Sequence, residues 1–269
     1  MGLLTYKVLG DIALGGVARL RKVMLPNGTL AILRELQMRK FFSLRVRGNF
    51  LSGARIRAAL SPHPNIVSTL AWGGRFLRPY EFIEFVDGKD LKSLMMAADP
   101  VTRGARLPLL KEMAAALAWV HQNGFMHLDV KPENFLVIRR GEGVAVKLTD
   151  FDMALPKDAN GWRRQFGTPA YMAPEQFKEK RCYPASDVFA FGLMAYQLLS
   201  GRSPFTGETP KMMWRAQASS RILPKHIHEL VDGLDPVLEE IVMKCLSKTR
   251  EGRFQDMAQV AAELAKIKC

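Results

Sequence analysis

The stretch His127-Leu128-Asp129-Val130-Lys131-Pro132-Glu133-Asn134 constrains this chain more than any other. It sets a carboxylate, an ammonium and an amide within eight residues, after an amphipathic segment rich in Ala and Leu and before the apolar run Phe135 to Ile138. Read from its residues alone, it is a polar loop that follows a helix. Such a loop can aim Asp129 at a hydroxyl, Lys131 at an anion and Asn134 at a metal ion, roles that suit phosphoryl transfer. A short polar string also arises in ordinary solvated turns, so its meaning depends on its surroundings.

Three later stretches accompany it in a fixed order: Lys147-Leu148-Thr149-Asp150-Phe151-Asp152, then Gly167-Thr168-Pro169-Ala170-Tyr171-Met172-Ala173-Pro174-Glu175, then Ser186-Asp187-Val188-Phe189-Ala190-Phe191-Gly192, with Arg253 beyond them. Together with the first loop they resemble the protein kinase family: H-R-D-L-K-x-x-N, D-F-G, A-P-E, a buried central helix and a late Arg that pairs with the A-P-E Glu. The resemblance runs over nearly the whole chain. It implies an α+β, two-lobed fold in one kinase-like domain over residues 1–269, with a β-rich N-lobe to about residue 83, a hinge over about 84–90 and a helical C-lobe from about 91.

The resemblance also implies site residues. Asp129, Lys131 and Asn134 take the catalytic positions, and Asn134 and Asp150 the Mg²⁺ positions. ATP would be held by Gly10, Gly15 and Val17 of a phosphate loop, with Val17, Ala31 and Leu136 around the adenine, Ile83 as gatekeeper, backbone groups of Glu84 and Val86, and Asp90 near the ribose. Thr168 and Lys131 resemble the serine/threonine-specific branch.

Five departures from the family pattern stand out: Leu128 replaces the Arg before the catalytic Asp, Asp152 the D-F-G Gly, Ile12 the middle loop Gly and Leu33 the strand Lys, while no acid lies between Arg45 and Leu60 to pair with such a Lys. Losing both halves of an ion pair is milder than stranding one. Strand alternation puts Arg19 on the face of Val17 and turns Arg34 to the opposite face, so Arg19 is the expected replacement cation; its other reading is a surface Arg paired with Glu35. Asp152 reads as a turn residue bonded to nearby backbone or as an added metal ligand. Between Asp152 and Gly167 there is no Ser, Thr or Tyr, and with Leu128 no receiver for a phosphate, so this segment is expected to be held by packing of Leu128, Trp162 and Phe166. Two functions follow: a slow, atypical serine/threonine protein kinase using ATP and Mg²⁺, or a pseudokinase that binds nucleotide weakly and serves as a scaffold or allosteric partner.

Alternation and spacing predict strands within Leu4–Val23, over Thr29–Leu36 and from Tyr80 toward Asp90, and helices over Leu107–Asn123, Asp187–Ser200, Asp235–Cys245 and Asp256–Ile267. The net charge of +13 is uneven, because Leu36 to Tyr80 holds no Asp or Glu while Arg39, Lys40, Arg45, Arg47, Arg55 and Arg57 crowd together. A solvated helix face is the plain reading. The sharper ones are a protein substrate, an acidic protein partner or an anionic membrane surface; nucleic acid ranks last for want of a binding motif. Nothing in the sequence specifies an oligomer. Three scattered Cys, no charged-then-apolar leader and no apolar run of the roughly 18 residues that span a bilayer lead to an expectation of a reduced, cytoplasmic protein.

Overall fold

The first strands are β1 (Lys7–Leu14) and β2 (Ala18–Met24), antiparallel with Val8 opposite Val23 and Leu14 opposite Arg19. The computed structural model describes residues 5–14, 17–40, 42–75, 78–141, 143–159 and 168–268. Gly15 of the expected phosphate loop, Trp162 and Phe166 of the expected packing cluster, Gly167 and Cys269 therefore lie outside the described residues.

Asn27-Gly28 makes the next turn, with Gly28 at φ +82° and its N–H on Leu25 O at 2.9 Å. It leads into β3 (Leu30–Leu36). Then come α1 (Leu44–Leu60), whose N-terminus is capped by Ser43, β4 (Thr69–Arg75) and β5 (Arg78–Glu84). The sheet order is β1-β2-β3-β5-β4, antiparallel throughout. These strands and α1, together with Thr149–Asp152, make one compact unit that extends to Asp87.

Cross-strand register fixes which side chains share a face. Val23, Ala31, Leu33 and Phe82 form one buried cluster, covered by Tyr6, Leu25, Ala71 and Tyr80. The alternate residues Ile32 and Arg34 of β3, opposite Ile83 and Glu81 of β5, lie on the other face, which packs Ala18 and Leu36 against Phe50 of α1. The guanidinium of Arg34 lies 5.1 Å from the Phe50 ring. The helix-facing side of β3 thus carries Arg34, and Leu33 belongs to the far side.

The second compact unit comprises Gly88–Leu148 and the residues from Met153 onward. It begins with β6 (Lys89–Asp90), α2 (Leu91–Met96), α3 (Val101–Gly104), α4 (Arg106–Gln122), β7 (Phe125–Met126), β8 (Phe135–Arg140), β9 (Gly143–Leu148) and β10 (Leu155–Pro156). It continues with α5 (Pro174–Lys178), α6 (Pro184–Ser200), α7 (Pro210–Ala218), α8 (Pro236–Cys245) and α9 (Met257–Lys266). β6, β8 and β9 form one small sheet, β7 and β10 another. α6 is buried nearly all round, as its unbroken apolar sequence requires, and stops at Gly201, whose φ of +71° suits a residue without a Cβ. Asp235 and Asp256 cap α8 and α9 through bonds to first-turn N–H groups. Among the described residues no helix is long and apolar enough to cross a membrane.

Glu175 and Arg253 meet in this unit, as the sequence resemblance implied. Two buried bonds of 2.9 and 3.0 Å join guanidinium to carboxylate, Ser186 Oγ donates to Glu175 Oε1 at 2.7 Å, and Arg253 also donates to the carbonyls of Ser247 and Ala185. Burial pushes the thiols of Cys182 and Cys245 up to about 12, the Gln176 contact opposing this at Cys182.

Two outcomes are expected. Arg253→Met, which strands a buried carboxylate, should lower unfolding free energy by about 3–5 kcal/mol in urea titration, and adding Glu175→Gln should recover part of that loss. Cys182 and Cys245 should stay unlabelled by a disulfide reagent at pH 8 until denaturant is added; fast labelling of either in the native protein would contradict their burial.

Candidate active site

The loop after β7 is held from beneath by one carboxylate. Asp187, in the first turn of α6, accepts the N–H groups of His127 at 2.7 Å and Leu128 at 2.8 Å, and contacts His121 Nε2 at 2.9 Å. Because His121 Nδ1 accepts from Met257 N at 3.0 Å, the ring proton sits on Nε2 and is donated to Asp187. This anchoring lets Leu128 occupy φ +62°, a conformation that costs an L-residue about 1–2 kcal/mol. Leu128 itself packs with Met126, Cys182, Met153 and Leu155, an apolar setting where the family pattern has an Arg.

The turn delivers Asp129, buried to within a few per cent, into a dense set of donors. Its Oδ1 accepts Thr168 N at 3.0 Å and Thr168 Oγ1 at 2.8 Å; its Oδ2 accepts Lys131 Nζ at 2.6 Å and Asn134 Nδ2 at 3.2 Å. Lys131 Nζ also reaches Thr168 Oγ1 at 3.0 Å, and Asn134 Nδ2 bonds Asp129 O at 2.8 Å. The carboxylate is therefore fixed in one rotamer beside an ammonium, ready to orient a hydroxyl near an anionic group. With Nδ2 of Asn134 used on Asp129, the atom it can offer a cation is its carbonyl oxygen, a hard ligand of the kind Mg²⁺ takes.

In the first unit Asp150, Phe151 and Asp152 lie against α1 and β3. Arg34 donates to Glu81 Oε2 at 2.6 Å and to both oxygens of Asp152 at 3.0 Å, and its Nη2 is 3.7 Å from Asp150 Oδ1. Arg57 of α1 meets the other oxygen of Glu81 at 2.6 Å and sits over the Phe151 ring. Burial alone would lower the Arg34 pKa, but Asp152, Glu81 and Asp150 outweigh it and raise it. Burial likewise works against the Glu81 carboxylate, yet Arg57 and Arg34 hold it below the usual range. At Asp152 burial wins, helped by Asp150 and opposed by Arg34, and the pKa rises to about 6. Asp150 keeps its carboxylate 41% exposed with φ +60°. Gly53 of α1 makes the close approach possible: a Cβ there would lie 2.7 Å from Phe151 O and 2.9 Å from Asp152 N.

These positions correct several expectations. Arg19 forms a bidentate exposed pair with Asp11, both bonds 2.8 Å, on the face of β2 away from Arg34, and Glu35 pairs instead with Arg21. Arg34, not Arg19, is thus the cation on the helix-facing side of β3; it stands one residue after Leu33, onto which the family's Lys position was laid, and with both faces of β3 buried alternation gives no polarity to tell the two apart. For the same reason Ala31, expected beside the adenine, lies in the cluster on the opposite face, and Ile32 stands opposite Ile83. Asp152 is an ion-pair partner rather than a local turn bonder. Arg57, counted above in a surface basic patch, is fully buried.

Of the remaining candidates, Gly10 lies exposed in β1, Val17 packs on the Ala18, Leu36 and Phe50 cluster, and Ile83 is buried. Glu84 donates its N–H to Ser68 O and accepts Ser68 N on its side chain; Val86 is half-buried beyond the strand end. Asp90 caps α2, with Ser93 N and Oγ on its two oxygens, and Leu136 stands opposite Asp90 on β8. Sequence reasoning missed Glu81, Gly53 and the role of Asp187. Glu81 had a signal: it is the acid that ends the run without acids, and buried arginines need one.

The sequence matches the family described as protein kinase domain over residues 6–264. It is 32% identical over 228 residues to the serine/threonine-protein kinase PknB of Mycobacterium tuberculosis, covering 81% of this chain and 35% of that one. It is 34% identical over 201 residues to the serine/threonine-protein kinase Pkn1 of Myxococcus xanthus, covering 73% and 28%. The chain thus spans about a third of the length of these two relatives.

The close approach at Gly53 yields a paired expectation. Gly53→Ala should destabilise the protein by about 1–3 kcal/mol in urea titration, because backbone must move. Gly48→Ala in the same helix, where a Cβ meets nothing within 4 Å, should instead stabilise it by about 0.5–1 kcal/mol. Equal effects from the two changes would show that α1 does not bear on Phe151 and Asp152.

Proposed function

The chain belongs to the protein kinase family, and we propose that it transfers the γ-phosphoryl group of ATP, with Mg²⁺, to Ser or Thr hydroxyls of proteins, slowly. The observation that carries this reading is the fixed set Asp129, Lys131, Asn134 and Thr168. Asp129 would accept the proton of the attacking hydroxyl while holding it in line. Lys131, bonded to Asp129 and Thr168, would offset charge on the phosphoryl oxygens as they move. The Asp150 carboxylate and the Asn134 carbonyl oxygen are each a hard ligand of the kind Mg²⁺ takes, and the family resemblance assigns the metal to these residues; when bound it would neutralise charge on the phosphates. Relatives described as serine/threonine kinases support the acceptor class.

The slow rate follows from Arg34. It is the cation on the helix-facing side of β3, yet Glu81 and Asp152 hold its donors, so phosphate must compete with two carboxylates for it. Losing one preorganised donor typically lowers rate by about 10²–10³. That same arrangement favours a second reading, a pseudokinase that binds nucleotide weakly and acts as a scaffold. For a protein partner of either form, exposed Arg39 and Arg45 are close in sequence to exposed Met38, Phe42 and Leu44, a basic and apolar stretch suited to an acidic amphipathic segment.

Incorporation of labelled phosphate from ATP into the chain itself and into a generic acceptor tests the proposal. Wild type should incorporate label with Mg²⁺, and Asp129→Asn should lower the rate by about 10³ or more; equal labelling by both would sink it. Nucleotide binding without transfer would select the scaffold reading. Asp152→Gly should tighten ATP binding by releasing Arg34, and Arg34→Met should weaken it while Arg19→Met does not. Tighter binding in Arg34→Met would refute the role given to Arg34.

A further inference from the structure

Outside the catalytic loop, two imidazoles and a carboxylate converge in the second unit. His226 precedes the short turn Ile227–Glu229 and His228 lies within it, and between the two Ile227 is fully buried as an anchor. In an extended strand residues two apart share a face but stand nearly 7 Å apart, at roughly 3.3 Å per residue. The tight turn here brings the ring centroids to 5.3 Å. Across from them Glu239 rises from the first turn of α8. Its Oε2 is 2.8 Å from His228 Nδ1 and its Oε1 is 3.3 Å from His226 Nδ1.

The carboxylate is fixed before any ligand arrives. Its Oε1 accepts Ile227 N at 2.6 Å and His228 N at 3.3 Å, and the Glu239 side chain is only 10% exposed. The rings are the movable part, 59% and 64% exposed.

The geometry points to a site for a divalent first-row transition metal, Zn²⁺ above all, bound by His226, His228 and Glu239 with a fourth position open to water. All three ligand atoms lie within 4.8 Å of one another. Tetrahedral Zn²⁺ with bonds near 2.1 Å needs about 3.4 Å between ligand atoms, which rotation of the two exposed rings supplies. Imidazole nitrogen selects this class over Mg²⁺ and Ca²⁺, which prefer oxygen. The backbone N–H groups on Oε1 orient the carboxylate as outer-shell donors do in metal sites. Binding here would tie the turn after α7 to α8, far in sequence from Asp129, and does not depend on phosphoryl transfer.

The test is titration of Zn²⁺, and of Co²⁺ as a visible-absorbing stand-in, into the full chain carrying Cys269→Ser, with excess Mg²⁺ present to fill oxygen sites. One Zn²⁺ should bind, Co²⁺ should give the absorption of a low-coordinate nitrogen-ligated ion, and Zn²⁺ should raise the Tm. His226→Gln and His228→Gln should each weaken binding about tenfold or more, and the double variant should lose both binding and the Tm rise. Far-UV circular dichroism of the double variant should match wild type, since both rings are exposed. Absence of Zn²⁺ uptake by the parent chain, or the same one-to-one binding in the double variant, would overturn the assignment.

Discussion

Two arginines buried beside one sheet need negative charge, and much of the first unit is arranged by that need. Taking a guanidinium out of water costs several kcal/mol unless its donors are matched. Glu81 lies between Arg34 and Arg57 with one oxygen for each, and Asp152 takes the remaining fork of Arg34. The residue that replaces a glycine in the D-F-G pattern is thus tied by charge to β3. The family arrangement, a strand cation and a helix acid, is here a strand cation, a helix cation and an acid on the neighbouring strand. Polarity has been redistributed among three elements while a carboxylate still stands beside each guanidinium.

The second unit solves a different problem, how to hold a polar loop in a strained shape. Asp187 collects two consecutive backbone N–H groups and His121, and His121 is held in turn by the start of α9. A left-handed leucine survives because both its backbone and its side chain are bound on all sides. Asp129 then has little freedom of its own: among the described residues its carboxylate is held by Lys131, Asn134 and Thr168. Among the described residues Leu128 is packed by apolar neighbours and is itself no receiver for a phosphate, and the sequence has no hydroxyl residue between Asp152 and Gly167.

Much of this was legible in the sequence because it depends on local order. The loop from His127 to Asn134 carries its own spacing, so the contacts of Asp129 with Lys131 and Asn134 follow from residues a few positions apart. Helix ends were marked by Asp235, Asp256 and Gly201, whose side chains or backbone freedom act within one turn. The pairing of Glu175 with Arg253 was read from family resemblance, not from any local signal.

What only the tertiary structure decided concerns β3 and its partners. Alternation distinguishes two faces of a strand only when one of them is wet, and in β3 both are dry, so the sequence could not say whether Leu33 or Arg34 faced the helix. Register against β5 decided it, by setting Arg34 opposite Glu81 across 47 residues of chain. The same holds for Gly53 against Phe151 and for His228 on Glu239: each pairing joins separate elements through packing. The sequence by itself determined the family, the order of elements and the loop that bears Asp129, because periodicity and short-range spacing encode them. Which buried charges meet was left to the fold, because a Coulomb pair depends on distance in space and leaves no mark of its own in spacing along the chain.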